Sequence, residues 1–175
     1  MSHKHPRYEE LDARGKALGD KNYCGVIAVA VITGETFDAA RARLEAIGRR
    51  RRKGTPTALI TKAIEDKGFR KVELTEAEHR TISGCKTMNQ MGKRAGQLSG
   101  NYCVYTRTHV AAVTGGRLVD WTEGRRHQVV YAHKFEKVTP APKPIRPEPP
   151  AMPVIVAKPS GWKLNGKRDR QMRLF

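Results

Sequence analysis

Cys24, His109 and Asp120 are the residues of this chain whose types and order could do covalent chemistry. Cys24 opens the apolar run Cys24-Gly25-Val26-Ile27-Ala28-Val29-Ala30 behind a polar approach, Asp20-Lys21-Asn22, while His109 and Asp120 follow far downstream in Thr108-His109-Val110 and Val119-Asp120-Trp121. A thiol alone is a weak nucleophile at neutral pH, but a cysteine at a helix N-terminus beside an imidazole shifts toward thiolate. Together the three have the order of a Cys, His, Asp triad. Each also has an ordinary reading: free cysteine is among the most buried residue types, and a lone strand histidine is usually half-exposed. Cys85 and Cys103 have no base nearby in sequence and read as packing residues, and Trp121 reads as a structural tryptophan on a sheet.

The elements that must position these residues follow from periodicity and turn chemistry. Cys24 to Thr33 is continuously apolar and small, which predicts a buried helix with Cys24 in its first turn and Gly34 at its end. Thr36 N-caps a second helix with Phe37, Ala40, Leu44 and Ile47 at helical spacing and Gly48 as the stop. Thr55 and Pro56 form an N-cap and N1 pair for a third, with Leu59, Ile60, Ala63 and Ile64 on its apolar face and Gly68 at its end. Phe69 to Leu74 alternates as a short strand, and Lys86 to Arg94 predicts a short helix. No element is assigned to the polar opening up to about Gly19. From Asn101 the pattern changes to β-branched and aromatic runs: Tyr102, Val104 and Thr106, then Val110 to Thr114, a Gly115-Gly116 turn, Leu118 to Trp121, and Gln128 to Ala132. That predicts an antiparallel meander, and helices followed by a meander predict an α+β fold with helices covering one face of the sheet. Five residues separate His109 from the glycine turn and three separate Asp120, so the two meet only through a bulge or a diagonal approach.

A chain of 175 residues with 38% hydrophobic content supports one domain with a real core. The domain is expected to span 1–138, followed by a stiff linker at 139–160 that holds eight of the ten prolines, and a basic tail at 161–175. The tail mixes Trp162 and Phe175 with Lys163, Lys167, Arg168, Arg170 and Arg173. Thirty-four Lys and Arg against seventeen Asp and Glu give a net charge of +17, which favours an acidic protein surface, nucleic acid or anionic lipid as company. Arg49, Arg50, Arg51, Arg52 and Lys53 form the sharpest basic block, expected on an exposed loop that either binds phosphate or is simply solvated. No DNA-reading motif accompanies it, so nucleic-acid binding would be through the backbone and salt-sensitive. Three cysteines in no ligand spacing suggest reduced thiols, with no disulfide framework, zinc site or cofactor; His3 and His5 could at most hold a stray metal. Neither a membrane-crossing run nor a secretory signal is apparent, so a cytosolic protein is expected.

The block Asn22-Tyr23-Cys24-Gly25-Val26-Ile27-Ala28-Val29-Ala30, with Thr108-His109-Val110-Ala111-Ala112-Val113 and Leu118-Val119-Asp120, resembles papain-like cysteine peptidases over most of 1–138. More narrowly it is similar to small uncharacterised bacteriophage proteins of that fold, in which a Thr-Pro helix and a His-Val strand follow the cysteine helix. The resemblance implies that Cys24 attacks an amide or ester carbonyl, His109 takes and returns the proton, and Asp120 orients the imidazole. It also implies a glutamine six residues before the nucleophile as oxyanion donor, where Leu18 stands instead. Asn22 or the backbone amide of Cys24 would then serve. Two functions are therefore expected from this chain: a phage-encoded thiol hydrolase in the host cytoplasm, or a catalytically silent scaffold whose tail docks it to a virion component, a host protein or nucleic acid.

Overall fold

The computed structural model describes residues 5–121 and 126–139, all within the unit Met1–Thr139. Apart from Thr139, the predicted linker and tail lie outside the described residues, as does His3. Four helices come first: α1 Pro6–Ala17, α2 Cys24–Thr33, α3 Phe37–Ala46 and α4 Thr57–Glu65. They are followed by β1 Phe69–Val72, α5 Glu76–Ser83, α6 Met88–Arg94, a 3-10 turn Ala95–Gln97, and then β2 Asn101–Tyr105, β3 Val110–Thr114, β4 Arg117–Val119 and β5 Tyr131–Lys137. This is an α+β architecture around one antiparallel sheet of order β1-β5-β2-β3-β4. Among the described residues no helix is long and apolar enough to cross a membrane.

The sheet differs from a simple meander in one respect. Strands β2, β3 and β4 do follow one another through tight turns, but β5 returns to the far side of β2 and inserts between it and β1. Side-chain packing accounts for the crossover. Tyr131 stacks on Tyr105 with ring centroids 4.6 Å apart, and Phe135, opposite Asn101, reaches the helical core. The strand starts at Tyr131; Gln128, expected inside it, makes only an isolated bridge to Thr87.

Helices cover both faces of the sheet, where the sequence pattern predicted one. Alternate side chains of β2 and β3 divide between two cores: Cys103, Tyr105, Val110 and Ala112 pack with α1 to α4, while Tyr102, Val104, Ala111 and Val113 pack with Ile82, Met88, Met91 and Leu98. Where a strand is buried on both sides successive residues must be apolar, which is why Tyr102 to Tyr105 and Val110 to Val113 are unbroken runs, with the half-buried Asn101 and Thr114 at their ends.

Helix α2 is the axis of the first core. Gly25 through Ile32 are all buried, against α1, α3 and α4 on its flanks and β3 beneath. A helix apolar all round has no solvent face, so its ends carry the polar work. Its C-terminus closes on Gly34 at φ 72, a left-handed conformation that glycine adopts without a Cβ clash, with the Gly34 N–H on the Ala30 carbonyl. Its N-terminus carries Cys24.

Candidate active site

The chain enters α2 through a sharp turn at Asn22, whose φ of 57 is, with that of Arg52, one of two left-handed non-glycine conformations among the described residues. Tyr23 precedes the helix without a side-chain cap, and its carbonyl accepts the N–H groups of Val26 at 2.9 Å and Ile27 at 3.0 Å, while the Gly25 N–H faces the Cys24 thiol, which leaves the Cys24 N–H as the first-turn amide without an intrahelical acceptor. Gly25 is required by a close neighbour: a Cβ built there would lie 2.6 Å from the Thr55 Cβ. The loop carrying Thr55 is therefore pressed against the turn that begins at Cys24.

A buried ion pair holds that loop. Arg49 Nη2 donates to Asp20 Oδ2 at 3.0 Å with both side chains almost fully buried, and Arg49 Nε donates to Thr55 Oγ1 at 3.1 Å. Asp20 Oδ1 accepts the backbone N–H groups of Lys21 and Arg52, and Asn22 Nδ2 donates to the Arg52 carbonyl at 3.2 Å. The arginine block is thus not a uniform solvated patch. Arg49 is a structural residue and Arg51 pairs with Glu45 at 3.1 Å, leaving Arg50, Arg52 and Lys53 exposed on the loop. Thr55 is correspondingly not the N-cap of α4, which starts at Thr57 after Pro56; its hydroxyl accepts from Arg49.

His109 closes the β2–β3 hairpin, where its carbonyl accepts from the Thr106 backbone N–H at 2.8 Å. The ladder ends at Ala112↔Val119, so His109, just before β3, and Asp120, just after β4, lie beyond the paired residues, and both line the cleft at Cys24. His109 Nε2 lies 2.9 Å from Asp120 Oδ1 and 2.8 Å from Oδ2, with side-chain exposures of 7% and 3%. Trp121 lies edge-on to the imidazole at 5.3 Å between ring centroids.

With Nε2 on the carboxylate, Nδ1 is the ring nitrogen left to face the Cys24 thiol, which lines the same two clefts. Burial disfavours ionisation of the Cys24 thiol, but the bond to and charge of His109, with backbone N–H groups of Val110 and Gly25, outweigh it and hold the thiol below its ordinary range. Burial likewise opposes the imidazolium, and Asp120 and the Cys24 sulfur outweigh it, raising His109 to about 9. The other two cysteines go the opposite way. Burial pushes Cys103 up to about 12, despite the nearby Tyr105 hydroxyl, and raises Cys85 against the field of Arg94. All three are free. A thiolate–imidazolium pair is thus favoured between the lowered thiol value and about 9. Ester hydrolysis at Cys24 is accordingly expected to rise with pH from below the range of an ordinary thiol and to fall as pH passes about 9, where the imidazolium proton is lost. A pH profile measured against Cys24→Ala checks both limbs.

Two clefts meet at the thiol. One of 670 Å³ runs over α1 and the start of α2, lined by Tyr8, Asp12, Tyr23, Trp121 and His127 among others. A second of 470 Å³ extends past Gly54 toward Tyr105, Arg107 and Tyr131. Cys24 and His109 line both, as a reacting pair between two arms of a substrate would. Sequence reasoning missed Tyr8 and Asp12 because α1 was not assigned; the signal was Pro6 at its start with Tyr8, Leu11 and Gly15 on one face. It also missed His127, whose ring is 6.4 Å from that of His109, since that residue belongs to no regular element.

The proposed oxyanion donors are placed as follows. Leu18 ends α1 and packs against the core, so no donor comes from that position. Asn22 lines the larger cleft, but its amide is engaged with the Arg52 carbonyl. The tail residues Trp162, Lys163, Lys167, Arg168, Arg170 and Arg173 lie outside the described residues. Among the described residues no group of three or more His, Cys, Asp or Glu side chains is placed to hold a metal ion.

Comparison of the chain with family models, with curated proteins and with solved structures returns no match.

Proposed function

We propose that this protein is a papain-like cysteine peptidase or related thiol hydrolase, with Cys24 as nucleophile, His109 as general acid and base, and Asp120 as the group that orients the imidazole. The observation that carries the reading is the continuous contact from Asp120 through Nε2 of His109 to a thiol at the open end of a buried helix. Residue types, chain order and the cysteine helix on an antiparallel sheet support the papain-like assignment.

In this mechanism the Cys24 thiolate attacks an amide or ester carbonyl, and the carbonyl π electrons move onto oxygen. The resulting oxyanion is met by the backbone N–H of Cys24 at the helix N-terminus, which the macrodipole makes favourable for negative charge. The tetrahedral species collapses with loss of the amine or alcohol, which takes its proton from the His109 imidazolium. Water then attacks the thioester, its proton passing to His109, and the acid leaves with the thiol restored. Asp120 keeps the ring in the tautomer and orientation both steps need. The resemblance to phage proteins extends the proposal to an enzyme acting in the host cytoplasm or carried on the virion, with the exposed cations of the arginine loop toward acidic partners.

The test is turnover of activated esters and of a random peptide pool by the full chain. Hydrolysis by the wild type but not by Cys24→Ala is expected; equal rates with both proteins would sink the assignment. Asn22 offers a sharper check of the oxyanion site. Glycine tolerates its left-handed backbone, so Asn22→Gly is expected to keep the hydrolysis rate within about tenfold, whereas loss of a true oxyanion donor costs about 10²–10³.

A further inference from the structure

The two clefts that meet at Cys24 differ in charge. Among the described residues, the titratable side chains of the larger one besides Cys24 are Tyr8, Asp12, Tyr23, His109, Asp120 and His127, with no lysine or arginine. The smaller has Arg107 and no carboxylate. Asp120 is committed to His109, which leaves Asp12 as the carboxylate whose purpose the reacting pair does not explain.

Asp12 is held in a fixed pose. Its Oδ1 accepts the hydroxyl of Tyr23 at 2.7 Å and that of Tyr8 at 3.3 Å, and its side chain is only 14% exposed. Its Oδ2 takes a different partner, the ammonium of Lys16 at 2.6 Å, from a side chain that is 69% exposed. Only the lysine end of this pair is exposed, and holding a long side chain in one pose costs rotamer freedom, so the ammonium is the partner of Asp12 that another cation can displace, whereas the two phenols are fixed in the cleft wall. Lys16 shows what Oδ2 accepts.

We propose that this cleft seats a basic side chain of a peptide substrate, its cation on Asp12 Oδ2 and its aliphatic stem against the aromatic rings of Tyr23 and Trp121. The placement beside a scissile bond rests on the thiol-hydrolase reading of Cys24 and His109; the binding itself does not. Aromatic faces beside a carboxylate suit a lysine or arginine, which offers both a cation and an apolar stem. The preference would also be local, because a protein of net charge +17 repels basic peptides everywhere else.

The experiment uses the full chain carrying Cys24→Ala, so that peptides are bound and not consumed. Short random peptides with one fixed position, lysine, norleucine or glutamate, are selected on the immobilised protein. Lysine peptides are expected to be retained about tenfold over norleucine peptides, the worth of one modest ion pair. The advantage should vanish with Asp12→Asn, survive Asp38→Asn on the surface of α3, and grow with Lys16→Met, which removes the competitor without touching the phenols. Equal retention of lysine and norleucine peptides, or a lysine advantage unchanged by Asp12→Asn, overturns the proposal. Because no cleavage is read, either result leaves the hydrolase assignment to its own test with the wild type.

Discussion

Replacing His109 with alanine is expected to slow alkylation of Cys24 at pH 7 by about tenfold or more while leaving Cys85 and Cys103 unchanged. An unassisted thiol is only a few per cent thiolate at that pH, and half-burial without the imidazole would lower the fraction further. Ester turnover should fall more steeply, by about 10²–10⁴, because the same residue both activates the nucleophile and protonates the leaving group. Residue-resolved mass spectrometry of alkylated protein reads the first effect. An unchanged rate of Cys24 alkylation in His109→Ala would mean that burial and helix position alone set its reactivity.

The largest stability effect is expected at Arg49. Arg49→Met removes the nearer cation of the buried Asp20 carboxylate, leaving Arg41 at 3.8 Å and two backbone N–H groups, so the cost is expected toward the lower end of the about 3–5 kcal/mol that breaking a buried pair costs. That is a large share of the roughly 5–15 kcal/mol that holds a domain together. Arg50→Ala on the same loop should stay within about 0.5 kcal/mol. Urea titrations of both variants separate a brace from a solvated charge run. Arg49→Met should also slow Cys24 alkylation, because Asp20, Arg52 and Thr55 together hold the turn at Asn22 against Gly25; equal stability of the two variants would remove Arg49 from that role.

The α2 helix and the β2–β3–β4 hairpins were legible because each is a pattern of one segment: a ten-residue apolar run closed by Gly34, and β-branched runs around Gly115-Gly116. The candidate triad was legible as order, since Asp120 lies one turn beyond His109 along the same hairpin. Other features depend on pairing between distant segments. That Arg49 is buried follows from Asp20, twenty-nine positions earlier, and five like charges in a row gave no hint that one of them would turn inward. The insertion of β5 between β1 and β2 is settled by Tyr131 on Tyr105 and Phe135 in the helical core, which no local pattern reports. Helix α5 was readable and missed. Thr75 and Glu78 form a capping box in which each side chain meets the other's backbone, a Thr-x-x-Glu signature present in the sequence. Its omission left the short helix from Lys86 to Arg94 without a companion on the second face of the sheet, and hid the reason Tyr102 to Tyr105 and Val110 to Val113 are apolar without a break.

The measurement that bears most directly on the central claim is intact-mass analysis of the full chain during reaction with an activated acyl ester. A single acyl group on Cys24 is expected to appear, then decline as ester turnover continues, with no acylation of that residue in His109→Ala on the same time scale. Acyl groups spread over lysines and other cysteines, or a Cys24 adduct that forms equally without His109, would contradict the account.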